Sequence, residues 1–222
     1  GSTFLGYRHV NRVTSVDADV QEMIDAGIHI CIAAGNSYQK IDVPGGLDYD
    51  NHYDEFSGAF GVVARYYHRG GSPYDDEALV VGNVDSGIIG IPIKEKKAGS
   101  SENGPGVDIY APGTNIMSTT STTNRFTDGD YPPNTSFKIC NIGGTSMASP
   151  QVCGVGALIL QTNPHMTPAE LKAFIIGQSV GSMLYSSGLD NDYAQSVSLK
   201  GGNNRYLKHP FPSEDVFKVT HS

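Results

Sequence analysis

Residues 143–150 read Gly-Gly-Thr-Ser-Met-Ala-Ser-Pro, and this run is the most specific signal in the chain. A glycine pair turns into Ser146, which opens a predicted helix of small residues over 148–160 with a proline in its first turn. The unpaired N–H groups and the dipole of a helix start favour negative charge. A hydroxyl placed there suits attack on a carbonyl, so the run predicts a nucleophilic serine.

The composition fits a globular enzyme. The chain has 222 residues, of which 38% are hydrophobic and 17% charged, and these values suit one domain with a substantial core. A net charge of −8 argues against nucleic acid as a partner. No apolar run approaches the roughly 20 residues of a membrane span, so we expect no membrane partner. The three cysteines are too few for a disulfide framework, and Cys31 and Cys153 are expected to be buried free thiols.

The pattern before the nucleophile run predicts helices that alternate with buried strands. Apolar residues at helical spacing predict a helix over 14–27, with Thr14 and Asp17 in a capping arrangement. Short apolar runs predict strands over 28–34, 78–84 and 107–110, with weaker strand signals at 62–64 and 115–119. This order favours an α/β fold with a mainly parallel sheet.

The rest of the chain is less regular. Residues 37–77 are rich in turns, and residues 120–142 are predicted to form a polar loop. Thr167, Pro168 and Glu170 form the pattern of a capping box that starts a further helix. Residues 1–200 are therefore interpreted as domain, and residues 201–222 as a polar C-terminal tail.

A second chemical signal lies at the end of the first predicted strand. Residues 33–36 read Ala-Ala-Gly-Asn, and ligand sites in parallel sheets lie beyond the carboxyl ends of the strands. The side-chain amide of Asn36 can donate a hydrogen bond to an oxyanion there. Gly-Asn is also a routine turn, so the run is a weak signal when taken alone.

The run at 143–150 resembles the nucleophile segment of the subtilisin-like serine proteases, the subtilases. The family has a run like 33–36 at its oxyanion asparagine, in the same order before the serine, and residues 80–85, 104–113 and 163–171 also match. The resemblance implies a three-layer subtilisin-like fold with a mainly parallel sheet, acting on a polypeptide substrate. It implies catalytic roles for Ser146 and Asn36, and substrate-binding positions at Ala33, Ala34, Gly35, Gly144 and Thr145.

The resemblance covers most of residues 14–180 and breaks at 37–77 and 120–142, which are interpreted as insertions. Part of the specificity pocket is expected from 33–36 and from the insertion at 37–77. No segment resembles the family's Asp or His motif, which precede the oxyanion asparagine, and none of the seven histidines lies in a matching context. We therefore expect the C-terminal part of a catalytic domain, with its N-terminal half missing and inert by itself. Its expected partner is that N-terminal part, in the same gene product or a separate chain.

Alternatives remain at this point. The missing motifs are compatible with a catalytically inactive protease-like domain that has a structural or binding role in a larger assembly. An esterase or lipase is less favoured because the Gly-x-Ser-x-Gly elbow is absent. No cofactor is required and no metal ligand is assigned. The family often carries structural calcium, but the acidic loop at 48–55 lacks EF-hand spacing and is interpreted as solvated.

Overall fold

The computed structural model describes residues 12–58, 61–89, 94–121, 123, 129–185, 198–208 and 210. The helices are α1 (Thr14–Asp25), α2 (Thr145–Thr162) and α3 (Pro168–Gln178). The strands up to the nucleophile run are β1 (Cys31–Ala33), β2 (His52–Ser57), β3 (Gly61–Tyr66), β4 (Leu79–Ile89), β5 (Lys94–Lys97), β6 (Ile109–Pro112), β7 (Ile116–Thr120), β8 (Gly129–Asp130) and β9 (Lys138–Ile142). The strands after it are β10 (Val180–Gly181) and β11 (Arg205–Tyr206).

The main sheet is mostly parallel, and its strand order is β1-β4-β6-β11-β10. The pairs β1/β4, β4/β6 and β6/β11 are parallel, whereas β10 and β5 pair antiparallel with β11 and β4. Ala33 lies opposite Val81, and Val81 lies opposite Ile109, so the carboxyl ends of the three strands share one edge. The prediction of an α/β fold with a mainly parallel sheet is confirmed.

Successive side chains along each strand point to opposite faces of the sheet. Leu79 and Val81 of β4 pack with Val152 of α2 in the main core cluster, which also includes residues of α3. Val84 and Tyr110 belong to a second buried cluster, and Ile32 of β1 packs against α1 in a third. Helices α2 and α3 thus cover one face while α1 and loop segments cover the other. This gives three layers around the sheet.

Two smaller sheets lie in or beside the segments where the family resemblance breaks. Strands β2 and β3 form an antiparallel hairpin, which confirms the strand signal at 62–64 and adds a partner strand. Strands β7, β9 and β8 form a three-stranded sheet, so the prediction of a loop over 120–142 is wrong for β8 and β9. The ladder partner of β9 is β7, which is distant in sequence, and local patterns do not report such pairing.

Two further sequence predictions differ from the structure. Val13 is the N-cap of α1 and makes no side-chain cap, and Asp17 instead accepts a hydrogen bond from the Tyr74 N–H at 2.9 Å. Residues 205–206 fall in the predicted tail, yet they form β11, where Tyr206 pairs with Tyr110 of β6. The capping box at Thr167 is confirmed in both of its hydrogen bonds. Within the described residues, no helix is both long and apolar enough to cross a membrane.

The three cysteines are free, but they differ in exposure. Cys140 is buried, Cys31 is half-buried and Cys153 is exposed, so the prediction of buried thiols is wrong for Cys153. Cys153 lies in the middle of α2, between the buried residues Val152 and Gly156, but is itself exposed. Burial, followed by the proximity of Cys153, raises the pKa of the Cys31 thiol to about 12.

This difference predicts selective alkylation of the native protein by iodoacetamide at pH 8. Cys153 should react, whereas Cys31 should stay unmodified because only about one thiol in ten thousand is ionised at a pKa of about 12. Peptide mass spectrometry with and without denaturant measures both sites, and unfolding should make them equal. Equal labelling of both thiols in the folded protein would contradict the burial of Cys31.

Candidate active site

Three backbone segments meet at the carboxyl edge of the main sheet. They are the turn after β1, the turn after β6 and the start of α2. The Gly144 N–H donates to the carbonyl of Gly113 at 2.8 Å, and the Gly35 N–H donates to Oγ1 of Thr145 at 3.1 Å. These bonds fix the nucleophile run against the ends of two strands, where the sequence predicts the site.

Thr145 sets the orientation of the Asn36 side chain. Oδ1 of Asn36 accepts from the Thr145 N–H at 3.0 Å and from the Thr145 hydroxyl at 3.3 Å. Because the Thr145 N–H can only donate, the oxygen of the amide must point at the helix start, and this assigns Nδ2 to the opposite side. No described residue accepts a hydrogen bond from Nδ2. The amide is thus held with its N–H groups unused.

The first turn of α2 leaves a second unused donor. The Thr145 N–H is taken by Asn36, and the N–H groups of Met147 and Ala148 donate to the carbonyl of Gly144 at 2.9 and 3.3 Å. The Ser146 N–H therefore has no acceptor among the described residues. The Ser146 side chain is exposed on the same turn. The nucleophile turn thus carries an exposed Ser146 side chain and an unused N–H, and Thr145 of the same turn holds the Asn36 amide, whose N–H groups are also unused.

At two positions around the Asn36 turn, neighbouring atoms lie so close to the backbone that only glycine fits. Gly144 has a φ of +152°, and a Cβ there would lie 3.3 Å from Oδ1 of Asn36. Gly35 has a φ of +120°, and a Cβ there would lie 2.7 Å from Cγ of Glu102. A side chain at either position would be strained and would displace the Asn36 turn.

None of the described histidines contacts Ser146. His52 bonds through Nδ1 to the carbonyl of Asp50, and His68 bonds through Nδ1 to the carbonyl of Lys40, both in the segment that contains the hairpin. His29 and His165 both line a cleft between the end of α1 and the start of α3. No described residue forms a hydrogen bond with the Ser146 hydroxyl. His9, His209 and His221 lie outside the described residues.

A cavity of about 450 Å³ opens beside Asn36. Its walls are residues 33–37 at the end of β1, residues 39–41, and residues 67 and 69–74 after the hairpin. Ala33, Ala34 and Gly35, predicted to bind substrate, line it, whereas Gly144 and Thr145 are buried behind the Asn36 turn. The cavity therefore combines the two segments from which the sequence predicts the specificity pocket.

The structure adds Glu102, which the sequence analysis did not identify. Its side chain lines the cavity although the residue is only 3% exposed. Burial raises its pKa to about 7, while N–H groups of Ser37 and Gln39 and the charge of Lys97 act in the opposite direction. No spacing pattern marks this residue, since its role depends on contacts with a segment more than sixty residues earlier.

Lys97 is the buried cation beside this acid. It is fully buried, and Nζ donates to the carbonyls of Ala98 at 2.8 Å and Ser101 at 2.9 Å. Burial lowers its pKa to about 7. The lysine thus fixes the turn that carries Glu102 through two hydrogen bonds to its carbonyls.

The acidic loop considered for calcium is paired with cations. Its carboxylates lie 2.6–2.7 Å from basic nitrogens in the pairs Lys40–Asp48, Arg69–Asp50 and Arg65–Glu55. The Lys40 hydrogen bond lowers the pKa of Asp48. Within the part of the chain that the structure describes, no group of three or more His, Cys, Asp or Glu residues is arranged to hold a metal ion.

Comparison with known proteins identifies the family of the chain. A sequence model of the subtilase family matches residues 2–204. Serine protease AprX of Bacillus subtilis (strain 168) is 30% identical over 184 residues, which are 79% of this chain and 35% of that protein. Subtilisin Savinase of Lederbergia lenta is 35% identical over 138 residues, which are 61% of this chain and 40% of that protein. The chain thus spans well under half the length of these relatives.

A solved structure supports the fold. It is described as a cold adapted subtilisin-like serine proteinase, and it superposes with a TM-score of 0.56 at 22% identity. The match covers 91% of this chain and 52% of that chain. The resemblance to the subtilases and the subtilisin-like fold class are confirmed. The roles of the individual site residues stay predictions, because these comparisons do not test them.

The Thr145 bridge predicts a specific loss of stability. Thr145→Val keeps the shape of the side chain but removes the acceptor of the Gly35 N–H and one donor to Asn36. A buried N–H without a partner costs about 1–3 kcal/mol. The Gly35 N–H is partly buried, so the free energy of unfolding should fall by about 1 kcal/mol. Thr145→Ser keeps the hydroxyl and is the matched control, with a smaller loss expected. Denaturant unfolding measures both variants, and equal losses would contradict the bridge.

Proposed function

Since this chain belongs to the subtilase family, we propose that it carries the nucleophile and the oxyanion hole of a serine endopeptidase. Ser146 is the nucleophile, and Asn36 Nδ2 and the Ser146 N–H are the oxyanion donors. The observation that carries this proposal is the pair of unused donors that the Thr145 contact leaves beside the exposed Ser146 side chain. The substrate is a polypeptide, and its peptide bonds are hydrolysed through an acyl-enzyme.

The proposed reaction follows from the donors. A base takes the proton of the Ser146 hydroxyl as Oγ attacks the carbonyl carbon of the scissile bond. The carbonyl oxygen becomes negative and accepts hydrogen bonds from Asn36 Nδ2 and the Ser146 N–H. The C–N bond then breaks, the base returns its proton to the leaving amine, and water hydrolyses the ester by the same steps. These steps require no cofactor.

The proposed mechanism also needs a catalytic base that activates Ser146. Residues 1–222 hold no segment like the family's His or Asp motif, and no described histidine contacts Ser146. We propose that a His and an Asp come from the N-terminal part of the same protease domain, in the same gene product or as a separate chain. Without them Ser146 is a poor nucleophile, so residues 1–222 alone should be nearly inert.

Strand β1 offers a place for that segment. Among the described residues, β1 pairs with one strand only, β4, and its carboxyl end leads to Asn36. Strands of a parallel sheet are normally buried. A strand edge without a partner carries unpaired N–H and C=O groups, to which another strand can bind. A segment that pairs there would bring its residues to the same carboxyl edge as Ser146.

The proposal predicts covalent labelling of Ser146 by a fluorophosphonate probe in the native preparation. Ser146→Ala should abolish labelling, and Ser149→Ala is the matched control because Ser149 lies on the same helix and bonds to the Cys31 carbonyl. Asn36→Ala should lower kcat by about 10²- to 10³-fold, the usual cost of one lost oxyanion donor. Mass spectrometry locates the label and identifies any co-purifying chain that holds the base.

The labelling experiment can also contradict the proposal. A folded native preparation that neither reacts at Ser146 nor cleaves peptide substrates would contradict the enzymatic proposal. That result would instead favour a protease-like domain with a structural or binding role.

A further inference from the structure

We propose that Glu102 is a positioning residue that holds the backbone of Asn36 so that its side-chain amide meets the oxyanion. This inference rests on the proposed function and adds a residue to that site. It is carried by contacts on both sides of Asn36, by the packing of Glu102 on Gly35 and by the burial of the carboxylate.

Glu102 bonds to both neighbours of Asn36. Its backbone N–H donates to the carbonyl of Gly35 at 3.0 Å, and its Oε1 accepts from the Ser37 N–H at 3.3 Å. The carboxylate also accepts from the Gln39 backbone N–H. One residue therefore fixes the peptide groups before and after the asparagine.

The next residue continues the attachment. The Asn103 N–H donates to the carbonyl of Gln39 at 3.0 Å, and the Ile41 N–H donates to the carbonyl of Asn103 at 2.8 Å. Residues 102–103 thus run beside residues 35–41 and bond to them repeatedly. Removing the Glu102 side chain would leave this backbone frame in place but would free the N–H groups nearest to Asn36.

Packing restricts the turn further. The Glu102 side chain lies so close to Gly35 that a Cβ there would be 2.7 Å from its Cγ and 2.9 Å from its Oε1. On the other side, Thr145 bonds to the Gly35 N–H and to Oδ1 of Asn36. Thr145 therefore orients the amide, while Glu102 fixes the backbone that carries it.

The carboxylate occupies an unfavourable place for a group with only a structural role. Glu102 is 3% exposed, and its Oε2 has no hydrogen-bond partner among the described residues. Burying such a group costs free energy that an apolar side chain of the same size would not. The buried charge of Lys97 offsets part of this cost, because it favours the ionised carboxylate. The ionised form is also the stronger acceptor for the two N–H groups.

The expected effect follows from the sensitivity of catalysis to geometry. Catalytic groups must be held within about 0.5 Å, and a displacement of about 1 Å can cost as much as 10²-fold in rate. An oxyanion bond exists mainly in the transition state, so its loss lowers kcat and leaves KM unchanged. Glu102→Ala should therefore lower kcat by about 10- to 100-fold with KM within about twofold.

The kinetic test uses two variants, a control and a double-mutant cycle in the native protease. Glu102→Gln keeps an oxygen acceptor at the same place and should recover kcat to within about threefold of the unsubstituted protein. Asp108→Ala is the matched control, since that carboxylate accepts from the Val80 N–H at 2.9 Å without touching the turn. In an Asn36→Ala background, Glu102→Ala should cause no further fall in kcat, because Glu102 acts through Asn36.

Several kinetic outcomes would overturn the inference. These are an unchanged kcat in Glu102→Ala, a loss expressed only in KM, an equal loss in Asp108→Ala, and a full additional loss in the Asn36→Ala background. Each would mean that Glu102 does not act on catalysis through the asparagine.

A second measurement does not depend on activity. Amide hydrogen exchange should be faster at Ser37 and Gln39 in Glu102→Ala than in Glu102→Gln, with α3 unchanged in both. Unchanged exchange at Ser37 would overturn the inference even in an active enzyme. If the unsubstituted protein neither cleaves peptides nor reacts with the probe, the proposed function fails, and exchange at Ser37 still decides whether Glu102 holds the turn.

Discussion

The site depends on one contact between segments that are far apart in sequence. Thr145, at the start of α2, bonds through its N–H and its hydroxyl to Oδ1 of Asn36, 109 residues earlier. The same hydroxyl accepts from the Gly35 N–H. These bonds join the end of β1 to the nucleophile turn, and they turn the asparagine so that its N–H groups are unused. The parallel sheet beneath makes the contact possible, because it brings the carboxyl ends of β1, β4 and β6 to one edge.

Two buried ionisable residues, Lys97 and Glu102, help to fix the backbone at this edge of the sheet. Lys97 bonds to two carbonyls of the turn at 98–101, and this turn carries Glu102 to the backbone around Asn36. Burial displaces the pKa of the acid upward and that of the lysine downward, so each group is costly when charged alone. Their proximity, with the backbone hydrogen bonds, limits that cost. The site is therefore organised by polar groups that lie outside the nucleophile run itself.

Local sequence patterns predicted the parts of the structure that depend on neighbours in sequence. The helix at 14–25, the strands at 31–33 and 109–112 and the capping box at Thr167 follow from periodicity and from end signals. The small-residue run predicted that Ser146 would lie at a helix start. Elements and residues whose positions depend on partners distant in sequence were not predicted. Strand β9 forms because β7 pairs with it, and Glu102 acquires its place through contacts with residues 35–39.

The most direct measurement is a crystal structure of the native protease with a peptide boronic acid, which forms a tetrahedral adduct like the reaction intermediate. We predict a covalent bond from Ser146 Oγ to boron. One boronate oxygen should lie about 2.7–3.1 Å from both Asn36 Nδ2 and the Ser146 backbone nitrogen, as in an oxyanion hole. An adduct on another residue, or a boronate oxygen directed away from Asn36, would contradict the account.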